Sequence, residues 1–442
     1  MQQVDIIVFG GLVVCMDEKG SVLDRGAIAI KGDTIVDIGP SDDIRARYTA
    51  LTDYDATGFL VMPGLVNGHT HSPMTFFRGL ADDLPLMDWL NNYIFPAEKR
   101  FVDPEFSYNG TLLACAEMIR SGTTTFCDMY IFEKEVIEAA RKTGMRCMAG
   151  EVLFDFPSPN VSGMDEGLSY MKDLIERYAD DPLVDIIAEP HSLYTCSGEV
   201  LTGIRDMSHR YGIPIGLHLL ETEQERNQLV EKFGKSPIVY LDENGYLDQH
   251  FIAFHGVWLD DEEIETLASR GAGIVHNPES NMKLASGIAP VPQMHEKGLL
   301  VGLGTDGCAS NNNLDMFEEM DMAAKLHKGS LLDPVVMDAQ KVVQMATIEG
   351  AKCLGIDEKT GSIEKGKKAD IIMIDLDKPH LTPMYNPYSH LVYAVNGSDV
   401  DTVIINGKVV MQGRELLTLD CDRIMDQARQ KSEEIRGYLD DA

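Results

Sequence analysis

Eight short apolar runs recur through the middle of the chain with amphipathic helical stretches between them, a pattern that leaves few folds open. The first four are Leu60-Val61-Met62, Thr124-Thr125-Phe126-Cys127, Arg146-Cys147-Met148-Ala149 and Val184-Asp185-Ile186-Ile187-Ala188. The last four are Ile213-Pro214-Ile215-Gly216-Leu217, Phe251-Ile252-Ala253-Phe254, Ala272-Gly273-Ile274-Val275 and Leu299-Leu300-Val301-Gly302-Leu303. Helical periodicity fills most of the gaps, from Glu105 to Arg120, Glu133 to Lys142, Asp165 to Ala179, Leu201 to Tyr211 and Glu262 to Ser269. Eight strands with helices between them over roughly 300 residues predict an α/β fold, a (β/α)8 TIM barrel with loop insertions. A doubly wound open sheet is the alternative, and periodicity alone does not separate the two.

Both ends of the chain have another texture. Ile6-Ile7-Val8-Phe9, Leu12-Val13-Val14, Ala27-Ile28-Ala29-Ile30 and Thr34-Ile35-Val36 are β-branched segments between turn signals. The same texture returns in Ala369-Asp370-Ile371-Ile372-Met373-Ile374 and Val403-Ile404-Ile405-Asn406-Gly407-Lys408-Val409-Val410. Neither end alone buries much of a core. The prediction is one small β-sandwich domain built from residues 1–60 and 363–420, around a barrel at 61–362. Cys421 to Leu439, with Ile424, Ala428 and Ile435 among charges, predicts a terminal surface helix within 421–442.

Polar residues gather where the apolar runs end. Gly68-His69-Thr70-His71 follows the first run and His191 the fourth, while His218 ends the fifth, His255 the sixth, His276 the seventh and Asp306 the eighth. The C-terminal edges of strands are where barrels and doubly wound sheets build active sites. His69 and His71, one residue apart, point the same way from an extended segment, because side chains alternate with period two. With His218 as a third nitrogen and Asp306 as a hard oxygen they make an N3O set that leaves a position for water, the pattern of a catalytic zinc. His255 stands beside that set.

Competing motifs fail on context. Gly302-Leu303-Gly304-Thr305-Asp306-Gly307 spells a dinucleotide fingerprint but closes the last run, with Asn311-Asn312-Asn313 where a helix should open. The chain has neither the H-E-x-x-H of zinc proteases nor the P-C-x-x-C of cytidine-type deaminases. Gly64-Leu65-Val66-Asn67-Gly68-His69-Thr70-His71, with His218, His255 and Thr305-Asp306, instead resembles the amidohydrolase superfamily. His71-Ser72-Pro73-Met74-Thr75, Arg78-Gly79, Asp83-Leu84, Trp89-Leu90, His276-Asn277-Pro278, Ser280-Asn281 and Gly304 to Asn312 narrow the likeness. They resemble the methylthioadenosine/S-adenosylhomocysteine deaminase family, with its 5′-deoxyadenosine deaminases, over nearly the whole chain.

The resemblance implies a barrel, a β-sandwich from both termini and one divalent metal ion, zinc by default, held by His69, His71, His218 and Asp306. Binuclear relatives carry a lysine on the fourth strand, and Asp185 to His191 contains none. The metal acidifies a bound water; Asp306 is the general base and His255 steadies the attacking oxygen. By position and resemblance, Glu221 protonates the ring nitrogen beside the attacked carbon and helps ammonia leave. Glu98 accepts hydrogen bonds from ribose hydroxyls, His191 touches the sugar, and Trp89 and Ser310 line the pocket, while His276 positions the Asn277-Pro278 turn.

The expected reaction is metal-dependent hydrolytic deamination of a 6-aminopurine nucleoside to the inosine analogue and ammonia. Relatives acting on S-adenosylhomocysteine can carry arginines after the third strand, but Glu151 takes the equivalent place and no Lys or Arg occurs from Glu151 to Met171. Small uncharged 5′ groups, as in 5′-deoxyadenosine, 5′-methylthioadenosine or adenosine, are therefore preferred over S-adenosylhomocysteine. Alternatives are a guanine deaminase or an s-triazine hydrolase on the same scaffold, or a barrel that has lost catalysis and serves assembly. With 38 Lys and Arg against 71 Asp and Glu, the formal charge of −33 argues against nucleic-acid and anionic membrane partners. No apolar run approaches the ~20 residues of a membrane span, and no basic-then-apolar leader opens the chain. A cytoplasmic homo-oligomer is expected.

Overall fold

The computed structural model of the chain describes residues 1–441. Nine strands from the two chain ends join in one sheet. Gln2–Val14, Val22–Lys31, Thr34–Pro40, Tyr48–Asp55 and Phe59–Pro63 come from the N-terminal side. Ile371–Asp375, Val400–Ile405, Lys408–Gln412 and Glu415–Leu416 come from the C-terminal side. Gln2–Val14 runs parallel to Tyr48–Asp55 along its first half, then passes to Phe59–Pro63 through Leu12↔Leu60 and Val13↔Val61. The change of partner falls at a bulge between Phe9 and Gly11. There Gly10 has φ +86°, and a Cβ would stand 2.7 Å from Thr57 Oγ1, so glycine is required. Val8, Val13, Ile28 and Ile30 share one apolar cluster with Ile371, Met373 and Ile404, the packing of a sandwich whose two layers are continuous.

The middle of the chain supplies eight parallel strand positions in two arcs. The first holds Leu65–Thr70, Thr123–Tyr130, Arg146–Leu153 and the interrupted Val184–Ile186 and Glu189–Pro190. The second holds Ile215–Leu219, Phe251–His255, Gly273–His276 and Leu300–Leu303. Isolated parallel bridges Ala188↔Ile215 and Ser192↔His218 join the arcs at one seam. At the other, the Asp306 amide donates to the His69 carbonyl at 2.9 Å. Two outer edges that meet make a ring, so the doubly wound alternative falls away.

One expected strand is misplaced. Leu60-Val61-Met62 does not open the barrel; it lies in Phe59–Pro63, antiparallel to Ile371–Asp375 through Met62↔Ile372 and Leu60↔Ile374. The first barrel strand is Leu65–Thr70, whose Asn67, His69 and Thr70 are fully buried polar residues that an apolar-run criterion passes over. The helices Pro104–Arg120, Glu133–Thr143, Met164–Tyr178, Gly198–Tyr211 and Asp261–Arg270 lie where periodicity predicts them. The last helix, Cys421–Asp441, is less superficial than expected: Ile424 and Ile435 are buried, and Tyr438 meets Phe101 edge to face. Among the described residues no helix is long and apolar enough to cross a membrane.

Barrel and terminal sheet are tied together by a buried ion pair on the face away from the histidines. Arg146 and Asp370, 1% and 0% exposed at the side chain, meet at 2.9 Å. Asp370 also receives the Asn406 amide, and Arg146 donates to the Pro182 carbonyl. Removing one partner strands a buried charge, which costs about 3–5 kcal/mol. Asp370→Ala is therefore expected to lower unfolding free energy by that order, measured by urea titration, with little change in the metal content of protein that remains folded.

Candidate metal centre and active-site cavity

The C-terminal strand ends bring five chemically matched side chains together. His69 lies on Leu65–Thr70 and His71 just beyond it, His218 on Ile215–Leu219, His255 at the end of Phe251–His255, and Asp306 three residues past Leu303. Asp306 Oδ1 is 3.1 Å from His71 Nε2 and 3.6 Å from His69 Nε2. Two triads, His69–His71–Asp306 and His69–His218–His255, each have their ligand atoms within 4.8 Å of one another. His255 and Asp306 adopt left-handed backbone, φ +73° and +61°. Non-glycine residues hold such angles at a cost of about 1–3 kcal/mol, typically where function fixes them.

Neighbours fix how these rings present themselves. His71 Nδ1 bonds the Met129 carbonyl and His218 Nδ1 the His191 carbonyl, so both Nδ1 atoms carry the proton and both Nε2 lone pairs are free. His255 Nδ1 pairs with Asn281 Oδ1 at 2.8 Å. Asp306 accepts from Ser280 Oγ at 2.6 Å and from the Gly307 amide at 2.7 Å. His69 differs: it is completely buried, stacked on Phe254 at 4.0 Å, and neither ring nitrogen has a hydrogen-bond partner. An orphaned buried imidazole is unfavourable, and a cation in this His/Asp cluster would engage one of its two nitrogens with donors of the kind a divalent zinc-type ion prefers.

A cavity of about 650 Å³ opens above this cluster. His71, Trp89, Glu98, His191, His218, Glu221, His255, Asp306 and Ser310 all line it, so the structure gathers nine of the ten sequence-derived candidates there and sets His69 beneath. Glu221 is 8% exposed, takes a hydrogen bond from Ser286 Oγ, and lies 4.0 Å from His255 Nε2. Burial pushes its carboxyl up, His255 opposes that, and Asp306 adds to it. Burial pushes His191 down to about 3, which keeps it neutral. Burial raises Glu98 to about 7 against the opposing hydrogen bond from Tyr130.

Two expectations change. Glu151 does not face the cavity; its carboxylate accepts from the Phe132 and Glu133 amides and from Asn160. The third-strand segment instead presents Val152, Phe154, Phe156, Pro157 and Pro159, an apolar wall, and Lys99 is the one basic side chain on the lining. His276 is not braced as a turn-positioning residue: both its ring nitrogens are buried without partners, and it packs against His327. Sequence reasoning missed Ser286 and Tyr130, because nothing in the chain's local pattern marks a residue that meets its partner across the barrel.

His69→Leu keeps bulk against Phe254 and removes the two unpaired nitrogens. Metal bound per chain should fall below about a tenth of the parent value by metal analysis, since the candidate set loses one donor. The thermal midpoint of the metal-free protein should hold or rise, since an unsatisfied buried polar group costs about 1–3 kcal/mol.

With this geometry in place, the chain was compared with known proteins. A profile of the amidohydrolase family matches residues 60–410, and one of a bacterial imidazolonepropionase-like composite domain matches residues 26–50. A 5-methylthioadenosine/S-adenosylhomocysteine deaminase of Syntrophus aciditrophicus (strain SB) is 58% identical, covering 99% of each chain. A 5′-deoxyadenosine deaminase of Methanosarcina acetivorans is 44% identical, covering 98% of each. Among solved structures, an adenosine deaminase from Xanthomonas campestris with bound zinc superposes with TM-score 0.97 at 38% identity over 99% of each chain. A zinc complex of an Arthrobacter aurescens atrazine chlorohydrolase reaches TM-score 0.89 at 23% identity, over 97% of this chain and 100% of that one, a likeness of fold.

Proposed function

The chain belongs to the amidohydrolase family, and on that premise we propose that it is a metal-dependent aminohydrolase converting a 6-aminopurine nucleoside and water to the inosine analogue and ammonia. The observation that carries the reading is the single cavity in which Glu221 lies beside the His–Asp cluster while Glu98 and His191 line the same space. Such an arrangement offers acid–base groups to a purine ring and neutral or accepting groups to a sugar.

In this reading one divalent cation, zinc by default, would be held by His69, His71, His218 and Asp306, drawn from two clusters that share His69, and His255 would act beside it. The cation supplies an acidified water and a positive charge opposite the developing negative charge. Asp306, fixed by Ser280 and the Gly307 amide, takes the proton released by the attacking water. His255, oriented by Asn281, steadies the oxygen as it adds to the ring carbon. Glu221 gives its proton to the adjacent ring nitrogen, the proton Asp306 received leaves with the amino group as ammonia, and the added hydroxyl returns its proton to Glu221 as the carbonyl forms. Glu98 accepts from the ribose hydroxyls and neutral His191, whose ring lies 4.8 Å from that of His218, lies against the sugar, with Trp89 and Ser310 completing the walls.

The wall of Phe154, Phe156, Pro157 and Pro159 supports a small uncharged 5′ group, as in 5′-deoxyadenosine, 5′-methylthioadenosine or adenosine. An α-carboxylate would find only Lys99, a single-point partner rather than a guanidinium fork, which ranks S-adenosylhomocysteine lower. The cytoplasm and a homo-oligomeric state remain part of the proposal.

Metal-loaded protein is expected to deaminate at least one of these four nucleosides, followed by loss of adenine absorbance; no turnover of any would overturn the reading. Glu221→Gln should lower kcat by roughly 10²- to 10⁴-fold, the usual span for a general acid–base group. Glu98 gives a pH signature. Below about 7 its carboxyl is protonated and loses acceptor capacity, so the Ki of the inosine product should weaken as pH falls through 7. Glu98→Gln should abolish that dependence.

A further inference from the structure

Glu98 reaches the cavity by an unusual route. It sits on a helical segment across the cavity mouth, composed of Leu86–Trp89, Leu90–Ile94 and Phe95–Phe101. The middle winding is π-helical, which inserts one extra residue into the turn. Leu86, Leu90, Ile94 and Glu98, each four residues apart, line the cavity along this segment, and Tyr93 is left 37% exposed.

The carboxylate so delivered has one hydrogen-bond partner among the described residues, the phenol of Tyr130, whose oxygen is 2.8 Å from Oε1. Tyr130 is the last residue of Thr123–Tyr130, 4% exposed, so its position is set by the barrel rather than by the mouth segment. Burial and the facing carboxylate hold its proton on, so it donates and Glu98 accepts. Among the described residues Glu98 has no ion pair, and Oε2 has no hydrogen-bond donor. A carboxylate steered through one lone pair, with its other oxygen open to the cavity, can accept from two adjacent hydroxyls at once.

We propose that Tyr130 is the positioning residue that fixes Glu98 for a cis-diol, and thereby a determinant of ribonucleoside over deoxyribonucleoside selectivity. The proposal rests on the nucleoside reading above and adds to it a residue that does not touch the reacting atoms. The phenol hydrogen bond joins a barrel strand to a π-interrupted helix, so it limits how far the carboxylate swings.

The test is a comparison of the parent, Tyr130→Phe, Glu98→Gln and the double variant on a ribonucleoside and its 2′,3′-dideoxy analogue. Tyr130→Phe removes one oxygen and keeps the ring. A hydrogen bond to a charged group contributes enough for roughly a tenfold effect. The ribonucleoside kcat/KM should therefore fall about tenfold in Tyr130→Phe, carried by KM, with kcat within about twofold of the parent. The dideoxy analogue should be unaffected, and Tyr130→Phe should add no further loss in the Glu98→Gln background. Equal losses on both substrates, a loss confined to kcat, additive losses in the double variant, or no change at all would each overturn the proposal while leaving the deaminase reading intact. A parent enzyme that deaminates no nucleoside would overturn both.

Discussion

The ring depends on one close approach between chain segments far apart in sequence. At the seam between the first and last barrel strands the Asp306 amide reaches the His69 carbonyl. The backbones can come that near because two positions have no side chain. A Cβ on Gly304 would lie 2.7 Å from the His69 amide nitrogen, and one on Gly68 would lie 3.1 Å from the Leu303 carbonyl oxygen. The same hydrogen bond that closes the barrel also sets an imidazole and a carboxylate side by side. Fold closure and ligand geometry are therefore one constraint, and bulk at either glycine disturbs both.

Burial holds His69, His191 and His218 uncharged around Asp306 and Glu221, and the His191 ring lies 4.8 Å from that of His218. Phe154 packs on His191 at 4.9 Å and stacks on Phe156 at 4.8 Å, so an apolar wall adjoins these neutral rings. A neutral, flat, partly polar molecule suits that cavity, and an anion does not, given the protein's formal charge of −33.

Much of this was readable in the chain. His218, His255 and Asp306 were legible because each follows an apolar run, and in a parallel barrel the ends of such runs share one face, while His69 and His71 were legible from their alternate spacing. Leu60-Val61-Met62 misled because an apolar triplet looks the same in a sandwich and a barrel, whereas the true first strand carries buried Asn67 and His69. Glu151 misled because amides of Phe132 and Glu133, just after the neighbouring strand, capture its carboxylate, a contact across strands that local sequence does not show. Tyr130 and Ser286 were illegible for another reason: each acts on a glutamate more than 30 residues away in sequence. Local propensity does not encode such pairings, nor did any helical pattern signal the π-winding at Leu90–Ile94.

The sheet made from both termini has a consequence for how the protein is born. Phe59–Pro63 hydrogen-bonds along one edge to Gln2–Val14 and along the other to Ile371–Asp375, so a nascent chain exposes that second edge until nearly the whole barrel has been synthesised. At translation rates of about 5–20 residues per second, the roughly 300 intervening residues keep it unpaired for about 15–60 seconds. During that interval an open β-edge stands next to a barrel that is itself unclosed. A high density of like charge, −33 over the chain, is one way to keep such exposed edges of neighbouring chains apart.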